Sequence, residues 1–168
     1  MTTSPSVKNS HCSYCGARYA DDTPWPRRCP ECRNVTYRNP LPVAVVLLPM
    51  DDGLLLVRRT NEPGRGELGL PGGFIEWGET WRAAVAREVG EETGIRIEAN
   101  GLRLFDAVSA PDGTLLVFGL APPMTQADLP PFVATNETSE TVIGREPMEL
   151  AFSTHTEMMA RYFEEKGR

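Results

Sequence analysis

Three glutamates, at positions 88, 91 and 92, stand closest to chemistry in this sequence. At about 100° per helical residue, Glu91 and Glu92 fall roughly 60° and 40° either side of Glu88, so all three share one face. Alone, the arrangement is unfavourable. Like charges at these spacings cost roughly 0.2–0.5 kcal/mol per pair. Gly94 then reads as a helix C-terminus, where the dipole is negative and an exposed anion costs about 0.3–1 kcal/mol. A hard divalent cation removes both conflicts, because Mg2+ accepts carboxylate oxygens and bridges them to phosphates. Three glutamates with no other signal describe a solvated acidic face just as well, so the surrounding residues have to decide.

Four cysteines form a second constellation. Cys12-x2-Cys15 and Cys29-x2-Cys32 are separated by thirteen residues. Four thiolates arranged tetrahedrally are a structural zinc site, with no open position for catalysis. His11, beside Cys12, reads as a bystander, and His155 as a surface or core residue of the last helix. Gly64-x-Gly66-x-x-Gly69 matches a dinucleotide fingerprint only formally. Pro71, Gly72 and Gly73 follow at once where a helix should open. The chain carries no P-loop and no serine nucleophile motif.

These residues need elements to hold them. An apolar, valine-rich run at 43–48 reads as a buried strand. A turn at Asp51, Asp52 and Gly53 leads to a second strand at 54–58. Residues 60–73, dense in Gly and Pro, read as loop, and 80–93 as a helix that carries the glutamates. Further strands are expected at 95–99, 102–108, 114–120 and 141–143. Pro111, Asp112 and Gly113 form a turn, 121–136 is loop-like, and 153–165 closes the chain as an amphipathic helix. The order predicts an α+β fold, with a mixed sheet sandwiched between helices.

The net charge of −6 argues against a general nucleic-acid binder. Its distribution is uneven. Residues 1–42 hold six basic side chains against three acidic ones, which leaves −9 for the remainder. Two modules are therefore expected after a flexible tail at 1–10: a zinc ribbon at 11–40 and a larger domain at 41–168. Asn39, Pro40, Leu41 and Pro42 form a stiff link between them. No apolar run approaches the ~20 residues that cross a bilayer. The polar first residues, MTTSPSVKNS, lack the apolar core of a secretory signal, so a cytoplasmic location is the default. Thiols stay reduced there, which favours metal ligation over disulfides.

From Gly73 the chain reads glycine, five residues, Glu79, seven residues, Arg87-Glu88-Val89-Gly90-Glu91-Glu92-Thr93-Gly94-Ile95. This resembles the complete Nudix box, with no position departing from it. The box spans 23 residues, and the strand order and the LAFSTH stretch resemble the wider domain. The resemblance implies hydrolysis of a diphosphate linkage by water attack on phosphorus. Glu88, Glu91 and Glu92 would bind Mg2+ or Mn2+, with the Gly72 carbonyl as a further ligand. Arg87 and Glu79 would brace loop and helix. The base is Glu88 or, from a loop outside the box, Glu137 or Glu140; Arg58 or Arg59 would pair with a phosphate. Ribbon plus domain is similar to the NADH pyrophosphatase group, but the Ser-Gln-Pro-Trp-Pro-Phe-Pro signature of that group is missing. Leu68 stands where many Nudix loops carry Trp. Pro111, sixteen residues past Ile95, resembles a feature of ADP-ribose pyrophosphatases and is equally a turn residue. The expected substrate is a small nucleotide of the ADP-ribose or NAD(H) kind. Removal of nucleotide caps from RNA and non-catalytic nucleotide sensing are the alternatives. The resemblance also implies a homodimer.

Overall fold

The computed structural model describes residues 8–167. Contacts divide the chain into two compact units, Met1–Pro40 and Leu41–Arg168. Most of the tail expected at 1–10 lies outside the described residues. Two residues of it within them are tied down: the carbonyls of Asn9 and Ser10 accept from Arg27 Nη1 and the Tyr19 N–H.

The first unit holds two short paired strands, β1 (Arg27–Arg28) and β2 (Val35–Thr36). Its core is Cys12, Tyr19 and Cys29, with Ala17 and Cys32 packed against them. So few apolar side chains give little burial energy, and a cross-link is the usual remedy at this size.

The second unit contains β3 (Leu41–Leu47), β4 (Pro49–Met50), β5 (Gly53–Arg59), β6 (Leu68–Gly69), β7 (Gly72–Phe74), α1 (Trp81–Thr93), β8 (Arg103–Ser109), β9 (Thr114–Leu120), β10 (Thr138–Gly144) and α2 (Ser153–Lys166). Two sheets form rather than one. The first runs β7-β3-β9-β8, with β3 and β9 parallel and the other pairs antiparallel; the second runs β10-β5-β4, with β6 also on β5. Side chains alternate across a strand, and here both faces are buried. Val45, Leu47, Leu54, Leu56 and Phe118 pack with Met158, Met159 and Tyr162 of α2. Ala44, Val46, Leu48 and Leu55 pack with Ala84, Val85 and Val89 of α1. The sheets thus lie between the two helices.

Three expectations about elements change. Residues 95–99 make no strand: Gly94 ends α1 in the left-handed region at φ 74°, and Ile95 and Ile97 pack into the core on the α1 side. A short 3-10 turn at Ala99–Gly101 follows. The stretch at 60–73 is not wholly loop, since β6 and the start of β7 lie inside it. The strand expected at 141–143 extends over seven residues, Thr138–Gly144.

Candidate active site and four-cysteine centre

Helix α1 begins at Thr80, whose hydroxyl accepts from the Ala83 N–H at 3.2 Å, an N-cap of the usual kind. Its buried residues are Ala84, Val85, Glu88, Val89, Glu92 and Thr93. The i, i+4 spacing puts Glu88 and Glu92 on the continuation of the stripe that Ala84 begins. The inward face therefore turns from apolar to acidic over its last two turns. Glu88 is 8% exposed and Glu92 4%. Glu91 stands at the edge of that face and is solvent-exposed.

Arg87 is the hub. Its Nε and Nη2 donate to the two oxygens of Glu79 at 3.1 and 3.0 Å. Nη1 donates to Glu88 Oε1 at 2.7 Å and to Glu91 Oε2 at 3.1 Å, and Nη2 also reaches the Phe74 carbonyl at 2.9 Å. The bidentate grip on Glu79 fixes the guanidinium plane and pulls the Glu79 carboxyl below its ordinary range. Glu79 Oε2 also accepts the Glu76 N–H at 3.1 Å, which pins the turn before the helix.

The stretch opposite α1 approaches without side chains in the way. A Cβ on Gly72, whose φ is +154°, would sit 2.3 Å from the Ala44 carbonyl oxygen and 2.7 Å from Val45 Cα. A Cβ on Gly73 would sit 2.3 Å from Glu88 Oε1 and 2.4 Å from its Cδ. Only glycine allows both approaches. The Gly72 N–H donates to Glu92 Oε2 at 3.0 Å, and the Pro71 carbonyl accepts from Val46 N.

One guanidinium thus bonds to three carboxylates, while Glu92 beside them has, among the described residues, only the Gly72 N–H. Burial pushes the Glu92 carboxyl up to about 8; the Gly72 N–H acts against this, and the charges of Glu88 and Glu137 add to it. Glu88 is also raised, first by burial and against the pull of Arg87. Among the described residues, no protein donor reaches Glu88 Oε2, Glu91 Oε1 or Glu92 Oε1. Carboxylate oxygens with no protein donor, in a site short of positive charge, suit a hard divalent cation. They are not drawn into one tight cluster: Glu88 and Glu91 lean to Arg87, and Glu92 to Gly72.

The remaining expected residues separate. The Glu137 charge bears on both Glu88 and Glu92. Glu140 instead pairs with Arg58 across β10 and β5, Nε to Oε1 at 2.5 Å. Arg58 also donates to the Gly66 carbonyl. Arg59 lies over the Phe152 ring at 5.0 Å, and its charge is felt at Glu92. Pro111 is exposed at the β8–β9 hairpin tip, in a turn closed from Gly113 N–H to the Ala110 carbonyl.

One residue was not singled out for the site by sequence. His155 is 6% exposed, and its Nδ1 accepts the Leu70 N–H at 3.2 Å. The available signal was its spacing from Met158, Met159 and Tyr162, which is i, i+3, i+4 and i+7, one buried helical face.

In the first unit, the four Sγ atoms lie within 4.8 Å of one another. Cys12 to Cys32 and Cys15 to Cys29 are each 3.6 Å. A tetrahedron with Zn–S bonds of about 2.3 Å has edges near ~3.8 Å, so the set fits zinc. Two like turns build it. Cys12 and Cys29 accept from Gly16 and Arg33 N–H, and donate to the Ala17 and Asn34 carbonyls. Gly16 and Arg33 both have positive φ, 76° and 63°.

The family model for the NUDIX domain matches residues 38–160. The chain belongs to the NUDIX family. A curated relative, the NAD-capped RNA hydrolase NudC of Shigella flexneri, is 40% identical over 91 residues, which cover 54% of this chain and 35% of that protein. The chain therefore matches only about a third of the length of this relative. Among solved structures, the NUDIX hydrolase from Nitrosomonas europaea superposes with a TM-score of 0.73 at 27% identity, covering 94% of this chain and 92% of the other. A bifunctional NMN adenylyltransferase/ADP ribose pyrophosphatase from Francisella tularensis, complexed with AMP and manganese, matches with a TM-score of 0.55 at 26% identity, over 64% of this chain and 34% of the other. No helix among the described residues of this NUDIX protein is long and apolar enough to cross a membrane.

Proposed function

We propose that the chain hydrolyses a diphosphate linkage joining a nucleoside to a second moiety, as in ADP-ribose or NAD(H). The observation that carries this is the burial of Glu88 and Glu92 on one helix face, with Arg87 paired to Glu88. The relative named as an NAD-capped RNA hydrolase and the neighbour titled ADP ribose pyrophosphatase support the substrate class. Residues 41–168 are the hydrolase domain in this reading, and residues 11–40 a zinc ribbon held by Cys12, Cys15, Cys29 and Cys32.

Glu88, Glu91, Glu92 and the Gly72 carbonyl would hold Mg2+ or Mn2+. When bound, these cations offset charge on the diphosphate oxygens and acidify the attacking water. The chain supplies the rest. Arg87, anchored on Glu79 and the Phe74 carbonyl, holds Glu88 and Glu91 in place. Glu137 is the favoured proton acceptor, because its charge bears on the acidic pair while Glu140 is spent on Arg58. Arg59 is the favoured phosphate partner over Arg58 for the same reason.

The test is a panel of nucleoside diphosphate conjugates with Mg2+ or Mn2+, with products identified by mass spectrometry in 18O water. Turnover of ADP-ribose or NADH with label on one phosphate is expected. Glu88→Gln and Glu92→Gln should abolish it with the fold intact, and near-normal rates in both would refute the assignment. Cap removal from RNA is the second reading, favoured by the name of the curated relative and the basic excess of residues 1–42. It predicts RNA activity that falls steeply with salt while small-substrate activity does not.

A further inference from the structure

We infer that His155 is a positioning residue for the acidic site, acting through the backbone of residues 68–72; this rests on the function proposed above. The imidazole lies between Phe118 and Phe152, with ring centroids 5.7 and 5.0 Å away and both contacts edge-on. Its Nδ1 takes the N–H of Leu70, which is itself buried at 3% exposure and sits between the paired residues of β6 and β7. Among the described residues no sheet partner serves that donor, so without the imidazole it would be an unpaired buried group, which proteins seldom tolerate. The segment entering α2 holds the same stretch a second time, with Ala151 N–H donating to the Leu68 carbonyl at 2.8 Å.

Two residues beyond Leu70, the Gly72 N–H meets Glu92, and the Pro71 carbonyl between them is fixed to Val46. The stretch is therefore gripped from α2 on one side and from α1 and β3 on the other. Little slack remains between His155 and Gly72, whose carbonyl is an expected cation ligand. Accepting at Nδ1 requires the proton on Nε2, so the ring must be neutral. Its burial, which holds the imidazole far below its usual range at about 3, keeps it so. The role calls for a rigid acceptor at the Nδ1 position, and it involves no proton transfer.

The substitutions His155→Asn, His155→Gln and His155→Leu separate this role from packing. Asparagine places its amide oxygen where Nδ1 stands; glutamine carries it a bond further, and leucine has none. Mn2+ binding followed by electron paramagnetic resonance, hydrogen exchange at the Leu70 amide, and kcat and KM are read on each full-length variant. Leucine and glutamine should weaken Mn2+ binding and lower kcat by about tenfold or more, speed exchange at Leu70 and leave KM within about twofold. Asparagine should restore all of these. If His155→Leu does not fold, the asparagine–glutamine pair carries the test alone. Faster exchange with unchanged Mn2+ affinity and kcat, or equal behaviour of asparagine and glutamine, would overturn the inference. Failure of the wild-type chain to bind Mn2+ or turn over any diphosphate would instead strike the proposed function, since only ratios to wild type bear on His155.

Discussion

At the residue scale, the site is an electrostatic conflict held in place by packing. The Glu88 carboxylate occupies the space that a Cβ on Gly73 would take, at 2.3 Å from Oε1. Gly73→Ala should therefore displace Glu88 and reduce turnover by at least about a hundredfold, as misplacement of about 1 Å can. Thermal denaturation should show a far smaller effect than for Gly72→Ala, whose added Cβ meets backbone atoms at 2.3 Å. Glu92 makes a prediction about pH in the chain without Mg2+. Its carboxyl is raised from 4.5 to about 8 by burial, so the folded state binds more protons than the unfolded state across that window. Stability must fall as pH rises through it. His155 has the opposite sign: lowered from 6.5 to about 3, it favours the folded state as pH rises to 6.5. The two effects oppose each other at lower pH. Above 6.5 His155 no longer offsets Glu92, but unligated Cys12, lowered from 9.0 to about 6, pulls the other way, so the Glu92 contribution is read with zinc on the thiols and against Glu92→Gln. Relative to Glu92→Gln, the melting temperature of the zinc-loaded chain without Mg2+ should drop between pH 6.5 and 8. Mg2+ should reverse the drop most at the alkaline end. A wild-type profile parallel to that of Glu92→Gln would mean that Glu92 is not buried as described.

At the element scale, α1 and the stretch before β7 set the geometry. Arg87→Lys keeps the charge but loses the planar fork, which spans Glu79, Glu88, Glu91 and the Phe74 carbonyl. We expect kcat at least about tenfold lower, with KM little changed, since the loss falls on ligand placement. Most of α1 was legible in the sequence. The Gly94 stop and the glutamate spacing are local signals, and local signals survive folding; Thr80 reads in sequence as the first helical residue and is the cap instead. The stretch at 60–73 was not. Strands β6 and β7 are two and three residues long and exist only because β5 and β3 offer them edges. No periodicity is readable in so short a segment. Residues 95–99 failed for the opposite reason, because their isoleucines alternate as in a strand but pack beneath α1 without a partner strand. Among the site residues, sequence named both Glu137 and Glu140; only the register of β10 on β5 sends Glu140 to Arg58. His155 escaped because its donor lies 85 residues earlier in the chain.

At the scale of the whole molecule, the proposed function gives two units of unlike composition two unlike uses of metal. The four-cysteine unit has too small a core to hold its knuckles by apolar burial, so a bound ion is its expected staple. Native mass spectrometry should find one zinc per chain, lost in Cys12→Ser or under a strong chelator, and a chain purified with none would contradict that. In the larger unit, Mg2+ or Mn2+ would belong to the proposed reaction, and its affinity should depend on the acidic face of α1. Calorimetric titration of the intact, zinc-loaded chain with Mn2+ near pH 7.5 tests this most directly. Saturable binding in the wild type, lost in Glu92→Gln and in Glu88→Gln, is the predicted result. Binding of equal strength in all three proteins, or in none of them with ADP-ribose present, would contradict it.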